Sequence, residues 1–323
     1  MKQPRPWPQR QRGVALIIAL ILVALATILA TKLTFDGFLE RQRSTSVLAA
    51  EQAMQFGFGA EALAADVLMQ SNTQTVTLAD PWAQPTQPLP ITPQSNAEGE
   101  PIGTLQGALE DMQGRFNLNS LGHVVNNQPD PYPLAQFQRL LAAVGLETKW
   151  AGIARDWIDA DDAVGSPDGA EDSVYTSQTP PYRTGNWPMM SPTELMNLPG
   201  FGIERYRKIA PYVTALPQAV PLINMCTASG PVLESLSEKY NGEFDNPQFL
   251  TSNRAKGCFP DKAILQKIAG ADWPAVQNVA IQTSSYFRLT TRVTLGTSEF
   301  TLYSLLLRGG SSVTPVLRSF GTL

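Results

Sequence analysis

Charge is absent from the chain between Val14 and Thr31. The run VALIIALILVALATILAT is built from Leu, Ile, Val and Ala with two threonines. As a helix it spans roughly 27 Å, near the hydrocarbon thickness of a bilayer. After Lys32 the pattern becomes amphipathic. Leu33, Phe35, Phe38, Val47, Leu48, Met54, Phe58, Leu63 and Leu68 recur at mostly three- and four-residue steps, with Glu40, Arg41, Arg43, Glu51, Glu61 and Asp66 between them. This spacing predicts one long helix over 14–70, whose soluble half packs its apolar side against a sheet. Gly57 and Gly59 weaken it locally.

Downstream the period changes. Residues 102–121 alternate and carry turn residues, which suggests one or two strands. Tyr286–Leu295 and Glu299–Leu307 are β-branched and aromatic with period two. They flank Gly296-Thr297-Ser298, the pattern of a hairpin. Val313–Phe320 reads as a further strand. Between these regions the chain reads as helical, over Leu134–Val144, Lys149–Ile158, Ser191–Asn197, Ile203–Val213, Val232–Tyr240 and Lys262–Ile268. Ser191 as cap, Pro192 at the first position and Glu194 at the third mark a helix start. The order predicts an α+β fold. An antiparallel sheet from 71–124 and 281–323 is interrupted by an α-helical unit at 125–280.

The 323 residues are 43% hydrophobic and 16% charged, ordinary values for a folded chain. Many of the 26 prolines fall between Asp80 and Pro101, which reads as an extended surface segment. Net charge is −4. Residues 1–13 contribute Lys2, Arg5, Arg10 and Arg12 and no acid, so the rest is more acidic still. An acidic body repels phosphate backbones, which argues against a nucleic-acid partner. The basic head stays on the cytoplasmic side of a membrane and places the remainder across it. In that oxidising compartment Cys226 and Cys258 are expected to pair, stabilising by roughly 3–4 kcal/mol. Two unrelated buried thiols are the alternative.

A cleaved secretory signal would place a small-x-small site after the apolar core. Here Ala24-Leu25-Ala26 lies inside it. A plain anchor leaves unexplained the basic leader that ends in Gly13 directly against the run. That junction resembles the type III signal of pilins and pseudopilins. The resemblance implies cleavage by prepilin peptidase between Gly13 and Val14, then N-methylation of Val14. It makes 1–13 a leader and 14–31 the membrane-spanning part of the helix. Most such subunits carry glutamate at the fifth mature position; here it is Ile18, as is typical of the K subunit of type II secretion. A carboxylate in the membrane needs a partner such as a neighbouring subunit's amine. A subunit lacking it suits the fibre tip.

Five segments strengthen the resemblance in combination: QGRFNLN at Gln113–Asn119, DWIDADD at Asp156–Asp162, GAEDSVY at Gly169–Tyr175, PYRTGN at Pro181–Asn186 and INMCTA at Ile223–Ala228. It covers essentially the whole chain and implies a pilin-like fold with an inserted helical domain. It also implies a single-pass inner-membrane protein with a periplasmic body. Its role would be in the pseudopilus tip complex that initiates assembly, with minor pseudopilins I and J as direct partners and H joining them.

Candidate chemistry centres on carboxylates. Asp156, Asp159, Asp161, Asp162, Asp168, Glu171 and Asp172 flank a Gly/Pro-rich loop. Acids this dense need screening, and calcium takes hard oxygens from flexible loops. The spacing is not that of an EF-hand, so from the residues alone a solvated acidic loop stays open. The K-family resemblance implies calcium in the helical unit, with Asp159, Asp161, Asp162, Glu171 and Asp172 as candidate ligands. Glu234, Glu238, Glu243 and Asp245, between the cysteines, are candidates for a second site. His123 is the only histidine, and no G-x-S-x-G elbow or persuasive zinc set occurs, so no enzyme is expected. A different class is suggested by Leu195–Ile209, LMNLPGFGIERYRKI, which resembles a helix-hairpin-helix. Its turn, with Arg205, Arg207 and Lys208, is the basis of an alternative: a membrane-anchored DNA-uptake receptor.

Overall fold

Arg12–Gln70 forms one continuous helix of 59 residues, α1. The computed structural model describes residues 12–92, 100–165 and 167–321. The leader residues Lys2, Arg5 and Arg10, with the rest of 1–11, and part of the proline-rich segment lie outside the described residues. Over Val14–Thr31 every side chain is exposed, as a helix made for lipid requires.

Five strands form one antiparallel sheet: β1 (Leu89–Ile91), β2 (Gly103–Asp111), β3 (Tyr286–Leu295), β4 (Ser298–Arg308) and β5 (Val313–Phe320), in spatial order β1-β2-β3-β4-β5. The hairpin between β3 and β4 pairs Leu295 with Ser298 and places Gly296 at φ +57°, the left-handed value such a tight turn needs. Pro90 sits in the edge strand β1, where its missing N–H does no harm.

The soluble half of α1 packs on the sheet, but through a different stripe from the one its large apolar residues suggest. Ala53, Gly57, Ala60, Ala64 and Leu68 are the buried positions, against Phe287, Leu289 and Val293 of β3 and Leu302 and Leu306 of β4. Small side chains let the helix approach closely. A Cβ on Gly57 would already stand 3.3 Å from Leu302 Cδ2 and Phe300 Cε1. Leu33, Phe35, Phe38, Val47, Leu48 and Leu63 point outward instead. Two charges lock this packing. Glu61 on the buried stripe accepts from Ser304 Oγ at 2.6 Å and from Arg318 Nη2 and Nε at 2.7 and 2.9 Å. Arg308 donates to Asn72 O and Leu68 O at the C-terminal end of α1, where a cation favours the helix dipole.

The chain leaves the sheet after β2 and returns at β3. Between them lie α2 (Pro131–Ala143), α3 (Trp150–Ile158), α4 (Asp172–Tyr175), α5 (Gly202–Ile209), α6 (Gly230–Ser235), α7 (Pro247–Arg254), α8 (Lys262–Ala269) and α9 (Trp273–Val279). Pro192–Asn197 is a 3-10 helix opened by the expected Ser191–Glu194 capping box. Val232–Tyr240 divides into α6 and a 3-10 turn at Glu238–Tyr240, because Ser237 breaks the helix and caps the turn. The helices α4, α7 and α9 are additional to those expected; α7 opens on Pro247 and α9 carries Pro274 in its first turn.

These helices share one core, and it reaches back to Phe116, Leu118 and Leu121, ahead of residue 125. Buried amides and acids seam it to the sheet. Asp111, at the end of β2, accepts from Ser284 Oγ at 2.6 Å, Thr227 Oγ1 at 2.7 Å and Asn224 Nδ2 at 2.9 Å. Burial pushes its carboxyl up. Gln113 Oε1 accepts from Ser285 N at 2.6 Å. Asn119 exchanges bonds with the backbone of Met189, and Asn117 accepts from Leu216 N. The segments QGRFNLN and INMCTA thus supply the polar seam between the two units.

Candidate functional site

Three of the quoted segments meet at one place. Helix α3 carries DWIDADD on its C-terminal end. Asp156 faces inward beside Trp157 and Ile158 and is fully buried. Its Oδ2 accepts from Gly165 N at 2.8 Å. Its Oδ1 makes no hydrogen bond and lies 3.7 Å from Arg155 Nη2. Gly165 and Gly169 let the loop close over this carboxylate, since a Cβ on either would collide with an Asp156 oxygen. Glu171, at the head of α4, is 3% exposed, and neither of its carboxylate oxygens has a partner. Asp159 Oδ1 is likewise buried without one.

Buried oxygens without donors are costly, and here they repel one another as well. Burial, with the charges of Asp156 and Asp161, pushes Asp159 up to about 6. Burial, with Asp156, Asp159, Asp162 and Asp161, pushes Glu171 up to about 7. Asp156 is raised by burial. Among the described residues no three acid, histidine or cysteine side chains stand at closed metal-cage spacing. The orphaned oxygens of Asp156, Asp159 and Glu171 nevertheless are hard oxygen donors of the kind a divalent cation takes; Arg155, 3.7 Å from Asp156 Oδ1, is a partial counter-charge and makes no hydrogen bond to it.

The expected residues divide. Asp159 and Glu171 belong to this buried group. Asp161 is exposed and accepts from Ala163 N at 2.9 Å, while Asp162 accepts from Asn186 Nδ2 at 3.2 Å. Both act on the group through their charge. Asp172 is turned away: Thr184 N and Oγ1 donate to it at 3.0 and 2.9 Å, and Arg183 lies 3.5 Å off. PYRTGN therefore braces the loop, and Gly185 lets it run against Trp157. Asp156 was not among the five candidate ligands. Its signal is an acid on the apolar face of α3, between Ala154 and Trp157, where a charge has no business unless paired.

A second surface concerns assembly. The outward residues of α1 form an apolar face that continues beyond the membrane span: Leu33 is 73% exposed and Phe38 60%. Such a face marks an interaction site.

A family model described as Type II secretion system (T2SS), protein K matches residues 114–218. Type II secretion system protein K of Aeromonas hydrophila is 31% identical, over 97% of this chain and 98% of its own. The chain belongs to the type II secretion system protein K family. Protein K of Pseudomonas aeruginosa is 34% identical over 93% of this chain and 89% of its own. Among solved structures, a chain from the crystal structure of the GspK-GspI-GspJ complex of the enterotoxigenic Escherichia coli type 2 secretion system superposes with a TM-score of 0.72. It is 25% identical and is covered completely by 87% of this chain. The long N-terminal helix, antiparallel sheet and inserted helical unit are thus the protein K architecture.

Within that architecture the helix-hairpin-helix segment has a packing role. Gly200 and Gly202 adopt φ +83° and +71° in the turn, while Leu195, Leu198, Phe201 and Ile209 are core residues. Arg205 donates to Gly200 O and Phe201 O, lies 3.7 Å from Glu147 and covers the Trp150 ring. Arg207 pairs with Glu204. A turn whose arginines bond their own protein is poorly disposed to bind phosphate, and the DNA-uptake alternative is not favoured. Cys226 and Cys258 are disulfide-bonded. The buried Arg254 holds both ends of that bridge, donating to Phe259 O, Met225 O and Ala228 O. Of the second acidic set, Glu234 accepts from Phe244 N and is pushed up to about 6 by burial and by neighbouring Asp245.

Proposed function

We propose that this chain is a minor pseudopilin of the pseudopilus tip, without catalytic activity, that nucleates assembly of the fibre. The I and J pseudopilins would be its direct partners, with H joining them. What supports this most is one observation: the protein K match extends over 97% of the chain and so includes both helix and insert. A GspK chain of the same fold was solved bound to GspI and GspJ. The outward apolar face of α1 is the surface that partner helices would cover. The bulk of the insert cannot be accommodated within a closely packed shaft, which favours the tip.

Prepilin peptidase would cut after Gly13 and leave Val14 as the methylated N-terminus, with α1 spanning the inner membrane once and the body in the periplasm. Calcium would be held by Asp156, Asp159 and Glu171, with Asp161 and Asp162 adding charge nearby. Its contribution there is neutralisation of carboxylates that otherwise repel. In a type II-secreting bacterium lacking its own protein K, this chain, supplied together with its cognate I, J and H subunits, should restore export of the secreted proteins into the medium. Export no better than with those three subunits alone would oppose the reading.

A further inference from the structure

The sheet has two faces, and α1 covers one. On the other, Arg288, Leu305 and Leu317 stand in one cross-strand row of β3, β4 and β5. The inserted unit overhangs this row with Met190–Thr193 and with Tyr206 of α5, leaving a cavity of about 380 Å³ between the units. That volume lies within the range of ordinary ligand pockets, and clefts between structural units are where such pockets form. Its walls are mostly apolar, with Met112, Val213, Leu305 and Leu317 among them.

The charge in the cavity is unbalanced. Arg115 and Arg288 share a single carboxylate: Glu110 Oε1 pairs with Arg115 and Oε2 with Arg288. Arg288 Nε is buried and has no hydrogen-bond partner. The third arginine at the wall, Arg318, is committed to Glu61 on the other face. One surplus positive charge therefore sits in an apolar recess, where an unsatisfied guanidinium donor is costly. The recess also adjoins β5, the last strand of the sheet. Among the described residues no strand pairs with its outer edge. An extended segment entering the cavity could add to that edge by main-chain bonds.

We infer that this cavity is a docking site for an extended peptide segment of a protein partner that presents a carboxylate beside an apolar side chain. The carboxylate meets Arg288 and Arg115, the apolar group fills the recess by Leu305 and Leu317, and the peptide backbone leaves the cavity towards β5, two strands from Arg288. The site lies on the face opposite α1, so it would remain accessible while partner helices occupy α1.

The test uses the full chain in detergent micelles and fluorescence polarisation of labelled acetyl-Ala-Phe-Glu-Leu-Ala-amide, its Gln counterpart, and competing 4-phenylbutyrate. The Glu peptide should bind at least about tenfold tighter than the Gln peptide, as a charge-assisted bond in a mostly apolar recess predicts. Arg288→Gln should erase that preference. Met190→Glu, at a rim position 66% exposed and so safe for folding, should weaken the Glu peptide about tenfold and spare the Gln peptide. If Arg288→Gln does not fold, the Met190→Glu result decides. Equal affinity for the two peptides, no binding of either, or binding of 4-phenylbutyrate without the peptide would overturn the inference.

Discussion

Asp156 shows how much of the acidic site rests on a single side chain. It is buried on an apolar helix face, and two glycines are needed for the loop to reach it. The spread of acids over 156–172 is visible in the sequence, but not which of them turn inward. That depends on the register of α3 against the core and on Thr184, which claims Asp172. Calcium binding should raise the melting temperature of the chain, by the equivalent of about 2.7 kcal/mol at a hundredfold excess over Kd. Asp156→Ala should abolish most of that rise, while Asp172→Asn should leave most of it. The pH dependence has a definite sign. Asp159 at about 6 and Glu171 at about 7 both exceed their unfolded values, so without cation the folded state holds extra protons between roughly pH 4 and 7. Stability then falls as pH rises through that window. Calcium replaces those protons, so its stabilising effect should be larger at pH 7.5 than at pH 5. A melting curve insensitive to calcium and chelator at both pH values would show that these buried carboxylates hold no cation.

At the scale of elements, what the sequence makes plain is periodicity. The hairpin of β3 and β4 is legible because alternation and a Gly-containing turn coincide, and α1 because its apolar run is long. Its packing side is less legible: large apolar residues outweigh Ala53, Gly57, Ala60 and Ala64 in any hydrophobic pattern, yet close approach to the sheet requires the small ones. The helices α4, α7 and α9 escape notice because each is eight residues or fewer and buries only one or two side chains. Two glycines in α1 test the packing. Gly57→Leu forces a side chain into Leu302 and Phe300 and should destabilise by about 1–3 kcal/mol in denaturant unfolding. At Gly59, where a Cβ meets nothing within 4 Å, Gly59→Ala should stabilise by up to about 1 kcal/mol. Equal effects at both sites would mean that α1 does not seat on the sheet through this stripe.

For the molecule as a whole, the division of labour follows from which surfaces are satisfied. The sheet and insert are joined by buried bonds around Asp111, Gln113 and Asn224, a connection that does not depend on α1's outer face being covered. That face and the lipid-length run before it are left uncovered by the body and are the surfaces a membrane and partner helices would cover. Gly13→Leu should leave the leader attached, seen as a larger product on a gel and as loss of export; normal maturation of that variant would oppose processing at Gly13. The tip assignment itself turns on complex formation. The full chain, tagged at its C-terminus and expressed with its cognate I, J and H subunits, should be purified from detergent extracts. It should retain I and J together in a stoichiometric complex, and Leu48→Glu on the outer face of α1 should disrupt it. Recovery of the folded chain free of I and J, at concentrations where those two subunits bind each other, would contradict the assignment.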